Sequence, residues 1–186
     1  MLNAGNRESY LILKIIREND AMKYNLTPEL AYVIGLWKSR RTSEGIGIHG
    51  SSEICELFLR ECLKLKIAQP DKVRFIQPEK EARLEGKVYF YHTALRAFFD
   101  EIVENELERF KYVNDYSANF VAGMFDGVGG MSHDGRFPYF EFGTREDEAL
   151  ILRLGFRVKR EKKRIIALEK DKFLKFIKPK LKFMKI

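Results

Sequence analysis

The sequence predicts an α+β fold: two αββαββα halves related by pseudo-two-fold symmetry and packed against each other through one helix from each. Three observations predict it. The stretch 115–130, D-Y-S-A-N-F-V-A-G-M-F-D-G-V-G-G, has a blurred copy at 27–41, T-P-E-L-A-Y-V-I-G-L-W-K-S-R-R. Aligning them places Gly35 on Gly123, Ile34 on Ala122 and Lys38 on Asp126. Each copy is followed by the same order of hairpin, helix, hairpin and helix. Small residues at Gly35, Ala122 and Gly123 would let two helix backbones approach closely, where larger side chains would hold them apart.

Each element has its own local reason. Residues 8–18 read as a short amphipathic helix carrying Tyr10, Leu11, Leu13, Ile15 and Ile16. Thr27-Pro28-Glu29 supplies an N-cap, a proline at the first helical position and an acid in the first turn, so a helix runs to about Lys38. A turn follows at 39–45, and Ile46-Gly47-Ile48-His49 reads as a strand. Gly50-Ser51-Ser52-Glu53 starts a helix whose buried stripe is Ile54, Leu57, Phe58, Glu61, Cys62 and Leu65. Segments 72–76 and 87–91 read as paired strands, and His92-Thr93 precedes a helix with Leu95, Phe98, Phe99, Ile102 and Val103.

In the second half the motif helix leads through Gly129-Gly130-Met131-Ser132 into the hairpin turn His133-Asp134-Gly135, and 137–142 returns as a strand. Gly143-Thr144-Arg145-Glu146 opens a helix that stops at Gly155. Strands at 157–160 and 164–168 flank a tight turn, and a last helix near 172–177 ends before Pro179. The domain reading is an N-terminal extension at 1–22, a first half at 23–104, a linker at 105–114, a second half at 115–178 and a basic tail at 179–186.

With 186 residues, 45% hydrophobic and 13% aromatic, the chain can bury a sizeable core. No apolar run approaches the roughly 20 residues of a membrane span, and the start lacks the layout of a signal peptide, so a cytoplasmic protein without a membrane partner is expected. Cys55 and Cys62 lie on one helix about 10.5 Å apart, too far for a disulfide, and are expected as reduced core residues. The net charge of +7 is unevenly placed. From Arg157 onward, thirteen lysines and arginines face three acids, whereas the preceding residues carry a small acidic excess. That end of the chain is expected to bind anions.

The doubled stretch resembles the LAGLIDADG homing-endonuclease family. Its nine-residue signature is read here as Val121-Ala122-Gly123-Met124-Phe125-Asp126-Gly127-Val128-Gly129 and, more loosely, Val33-Ile34-Gly35-Leu36-Trp37-Lys38-Ser39-Arg40-Arg41. The resemblance implies that Gly35, Ala122 and Gly123 form the helix interface and that the antiparallel sheets form a nucleic-acid-binding saddle. Arg40, Arg41, Arg74, Lys87, Arg136, Arg157, Lys159, Lys162, Lys163 and Arg164 would then be the contacts. Alternation along a strand puts Arg157 and Lys159 on one face, and likewise Lys87, Tyr89 and Tyr91. A monomer bound to double-stranded DNA is the expected state.

In active members of that family an acid at the eighth motif position of each copy holds the divalent metals of phosphodiester hydrolysis. Those positions are Arg40 and Val128 here, and neither is an oxygen donor of the kind Mg²⁺ requires. The resemblance therefore implies a DNA-binding protein with lost or impaired cleavage, no catalytic residue and no metal or other cofactor. Two alternatives come with it. One is an active Mg²⁺-dependent site-specific endonuclease with displaced acids, drawn from Asp126 and Glu44, Asp134 being better explained by its Asp-Gly turn. The other is an RNA-binding, maturase-like splicing helper. A protein scaffold is a further, plainer reading. Asp126 itself is expected to be a helix-end or interface carboxylate paired with Lys38. Trp37 is expected at the helix interface. His49, His92 and His133 are too scattered for a metal site.

Overall fold

The structure, a computed structural model, describes residues 24–77 and 85–186. The helix expected at 8–18 lies outside the described residues.

Helix α1 (Pro28–Arg40) begins as its sequence dictates, with the Thr27 hydroxyl accepting the Leu30 N–H at 3.2 Å. It is followed by β1 (Ile46–Gly50), α2 (Ser52–Lys64), β2 (Arg74–Ile76), β3 (Gly86–Phe90) and α3 (Thr93–Glu104). A short helix, α4 (Glu106–Arg109), interrupts the expected linker. The second half contains α5 (Asp115–Val128), β4 (Gly129–Met131), β5 (Pro138–Phe140), α6 (Arg145–Arg153), β6 (Val158–Glu161), β7 (Arg164–Ala167) and α7 (Lys170–Ile177). Capping boxes start α5, between Asn114 and Ser117, and α6, between Thr144 and Asp147.

The sheets repeat as the helices do. The first has the order β1-β3-β2 and the second β4-β5-β7-β6, antiparallel throughout. The first-half counterpart of β4 is reduced to one bridge, Arg41 to Ile48, within the stretch expected as a turn. Two strands are shorter than their sequence suggests. A 3-10 turn at Pro70–Lys72 occupies the expected start of β2, and Phe142 closes the β5 segment with φ 55°.

The halves meet along α1 and α5, as expected. A Cβ added to Gly35 would lie 2.1 Å from the Phe120 carbonyl oxygen, and one added to Gly123 would lie 2.1 Å from that of Tyr32. Backbone stands against backbone, so there is no room for any side chain. The same seam continues one turn later, where Gly127 faces Ser39. Ala122 is fully buried beside it. Trp37 is buried too, but away from the expected place: its ring neighbours are Phe99 at 5.3 Å, Arg96 and Arg41, all of the first half. Cys55 and Cys62 are buried free thiols, and burial raises Cys55 to about 11. Among the described residues, no helix is long and apolar enough to cross a membrane.

Candidate nucleic-acid interface and motif site

Alternation along the strands separates a core face from an outer face. In the second sheet Phe140, Ile165 and Ala167 are buried, whereas Tyr139, Ile166 and Lys159 lie side by side on the outer face by register. Arg164 sits opposite Glu161 on the same face. In the first sheet the outer rows are Gly47, Tyr89 and Arg74, then His49, Lys87 and Ile76. Each outermost strand thus presents a cation at the matching place, Arg74 beside Tyr89 and Lys159 beside Ile166.

Most of the expected contact residues are on this surface, held by exposed partners. Lys87 lies 3.5 Å from Glu44, Arg136 3.3 Å from Asp134, Arg157 3.6 Å from Glu169 and Lys159 2.7 Å from Glu161. Arg164 binds Glu141 at 2.5 Å and stacks on Tyr139 at 4.5 Å, and Glu141 raises its pKa further. Solvent screens such exposed pairs, so a phosphate can displace them. Lys162 and Lys163 crown the β6–β7 turn beside a hollow of about 810 Å³ that Phe142 and Glu141 also line. Arg41 and Arg74 are exposed. Arg160 belongs to the same basic run but turns to the other face, bonding Glu148 at 2.5 Å and the Gly143 and Thr144 carbonyls. It braces α6 against β6.

At the seam the motif positions take unexpected partners. Arg40, where the signature has its first acid, donates from Nε to the Gly127 carbonyl of the other half at 2.5 Å. Its Nη1 lies 3.5 Å from the His49 carbonyl oxygen and 3.7 Å from Glu85. The second acid position, Val128, holds an apolar side chain, and its carbonyl accepts the Glu141 N–H at 2.8 Å. The Gly127 and Val128 carbonyls are thus already engaged.

Asp126 does not pair with Lys38. It is buried, 3% exposed, and accepts the Tyr32 hydroxyl at 2.7 Å and the backbone N–H groups of Lys182, Phe183 and Met184 at 2.7, 3.1 and 2.7 Å. Burial first, then the carboxylate, raises the Tyr32 phenol. Lys38 instead binds Glu106 of α4 and Asp147 of α6, each at 2.5 Å. The two sixth positions nonetheless do the same work with opposite charge. Each ties down the segment that trails its own half, and each reaches one side chain of the other half.

The basic tail is therefore anchored to the body. Leu181, Met184 and Ile186 pack against the core, and Lys182 Nζ binds Glu61 at 2.7 Å. Burial works against the Glu61 charge, but Lys182 and Lys64 outweigh it and hold the carboxyl at about 2. Glu61 was legible as a carboxylate in an apolar stripe, whereas nothing in the sequence marks Glu106 or Asp147 as partners of Lys38.

The residues proposed for a displaced metal site each have protein partners. The four donors of Asp126 use its lone pairs, Glu44 is taken up by Ser43 and Lys87 on an exposed turn, and Asp134 by Ser132 and Arg136. Among the described residues, no group of three His, Cys, Asp or Glu side chains could hold a metal ion. His92 caps α3 and bonds the Tyr24 hydroxyl, and His49 pairs with Glu85. The donor set at the motif does not fit a divalent cation.

Two motif helices packed glycine to backbone, each leading into an antiparallel sheet of the same strand order, decide the architecture. The chain has the LAGLIDADG homing-endonuclease fold. Mesophilic variants of the homing endonuclease I-DmoI superpose with a TM-score of 0.58 at 13% identity, covering 81% of this chain and 94% of that one. I-DmoI in complex with DNA and Mn gives 0.55 at 15% identity, covering 87% and 100%. The N-terminal LAGLIDADG domain of DUF199/WhiA gives 0.51 at 15%, covering 89% of both chains. At these identities the likeness is one of fold. No protein-family model matches the sequence, and no curated protein matches it.

Proposed function

We propose that this LAGLIDADG-fold protein binds double-stranded DNA as a monomer, through the outer faces of its two sheets, and does not cleave it by a divalent-metal route. The observation that carries the reading is Arg40 and Val128 at the motif's acid positions, with the neighbouring Gly127 and Val128 carbonyls occupied. Metal-assisted hydrolysis needs oxygen donors that are open to the ion. The binding part rests on the outer faces, where Arg74, Lys87, Arg157, Lys159, Lys162, Lys163 and Arg164 are interleaved with Tyr89, Tyr139 and Ile166. Cations of this kind hold phosphates, and side chains between them reach base edges. The fold neighbour I-DmoI was crystallised with its target DNA, which supports the same direction.

Plasmid and random duplex DNA incubated with Mg²⁺ or Mn²⁺ test both parts. Salt-sensitive duplex binding without defined cuts is the expected result, since phosphate contacts weaken linearly on a log–log salt plot. Defined cuts would restore the endonuclease reading. Tighter salt-sensitive binding to structured RNA than to duplex DNA would favour the maturase-like one.

A further inference from the structure

The misfit between the motif and a divalent ion has a positive side. Arg40 ends α1 where the chain turns into the first sheet, and its guanidinium crosses the seam to the Gly127 carbonyl. Its side chain keeps 26% of its surface exposed. A guanidinium offers five N–H donors in a rigid fork. Nε is spent on Gly127 and one Nη1 direction on the His49 carbonyl, which fixes the plane of the group. Among the described residues, Nη2 has no hydrogen-bond partner. Exposed Arg41 is next in the chain, and the row His49–Lys87 borders the same corner. Among the described residues, the acid that faces Arg40 is Glu85, at 3.7 Å, and Glu85 is shared with His49, which holds its carboxyl below the usual range.

The geometry points to Arg40 as a built-in phosphate-binding cation at the centre of the saddle, occupying the place of a metal ion, so that nucleic-acid binding needs no divalent cation. A phosphodiester there would receive the free edge of a fork already oriented by two backbone carbonyls, which lowers the ordering cost of the contact. The inference rests on the DNA-binding reading above and adds to it the residue and the ion-independence.

Anisotropy of a labelled random duplex, titrated with the full chain over a salt series in EDTA and again in Mg²⁺, tests it. In EDTA the wild-type protein is expected to bind fully, with Mg²⁺ acting only as a competing salt. Arg40→Gln, checked to melt as a folded protein, is expected to bind roughly tenfold more weakly and to lower the slope of log affinity against log salt by about one. Arg40→Lys should keep the slope, since it keeps the charge. Wild-type binding that requires Mg²⁺ overturns the inference without any variant, and so does an unchanged slope in Arg40→Gln. Absence of wild-type binding to any duplex overturns the DNA-binding reading, and this inference with it.

Discussion

The Tyr32 hydroxyl donates to the Asp126 carboxylate at 2.7 Å across the seam between the two halves, and the same carboxylate gathers three consecutive N–H groups of the C-terminal tail. A buried anion with four donors is well satisfied, and removing it strands all four. It makes the tail part of the folded body.

Asp126→Ala is therefore expected to cost about 3 kcal/mol and to release the tail. Hydrogen exchange at Lys182, Phe183 and Met184 should accelerate well before the rest of the chain exchanges. Asp126→Asn, which sets an amide NH₂ among donors, should lose nearly as much. Wild-type melting and unchanged tail protection in both variants would contradict the assignment.

Gly123→Ala would place its Cβ 2.1 Å from the Tyr32 carbonyl oxygen and 2.8 Å from the Leu36 nitrogen, both backbone atoms that can move only with their helix. The expected loss is about 3 kcal/mol or more, and Gly123→Leu should fail to fold. Gly135→Ala is the control: its φ is +66° but nothing lies within 4 Å of the added Cβ, so conformation alone should cost about 1 kcal/mol. Equal losses at the two positions would argue against close helix packing as the cause.

Lys38→Met leaves Glu106 and Asp147 buried without their cation, a change expected to cost about 3–5 kcal/mol. Burial already raises the Glu106 carboxyl despite Lys38, so the unpaired acid should take up a proton. Adding Glu106→Gln to Lys38→Met should then recover part of the stability, measurable by urea unfolding at neutral pH. No recovery would mean that the lysine acts through packing.

Stability should also report on Glu61. Its folded pKa of about 2 lies below the ordinary 4.5, so the folded state binds this proton more weakly than the unfolded chain does. The stabilisation is complete above that ordinary value and disappears as pH falls toward 2; the full shift corresponds to about 3 kcal/mol, which solvent screening reduces to about 2 kcal/mol. Glu106 has the opposite sign: its raised pKa favours folding as pH falls through its range, and partly offsets the loss. Glu61→Gln should flatten the acid limb of the stability profile; an unaltered limb would remove Glu61 as its source.

What the sequence determined by itself is local or repeated. The caps at Thr27 and Thr144, the alternation in 87–91 and the doubled motif each rest on local spacing, which the sequence shows directly. Gly35 and Gly123 were legible for the same reason, because close helix packing demands the smallest residue wherever it occurs. The tertiary structure alone decided the partners. Lys38 and Asp126 align in sequence, yet what each meets depends on where segments as remote as Glu106, Asp147 and Met184 return. The side on which Arg160 differs from Lys159 likewise follows from strand register, which no charge count contains. Even the basic tail is held by its backbone N–H groups, which every non-proline residue carries and no sequence pattern distinguishes.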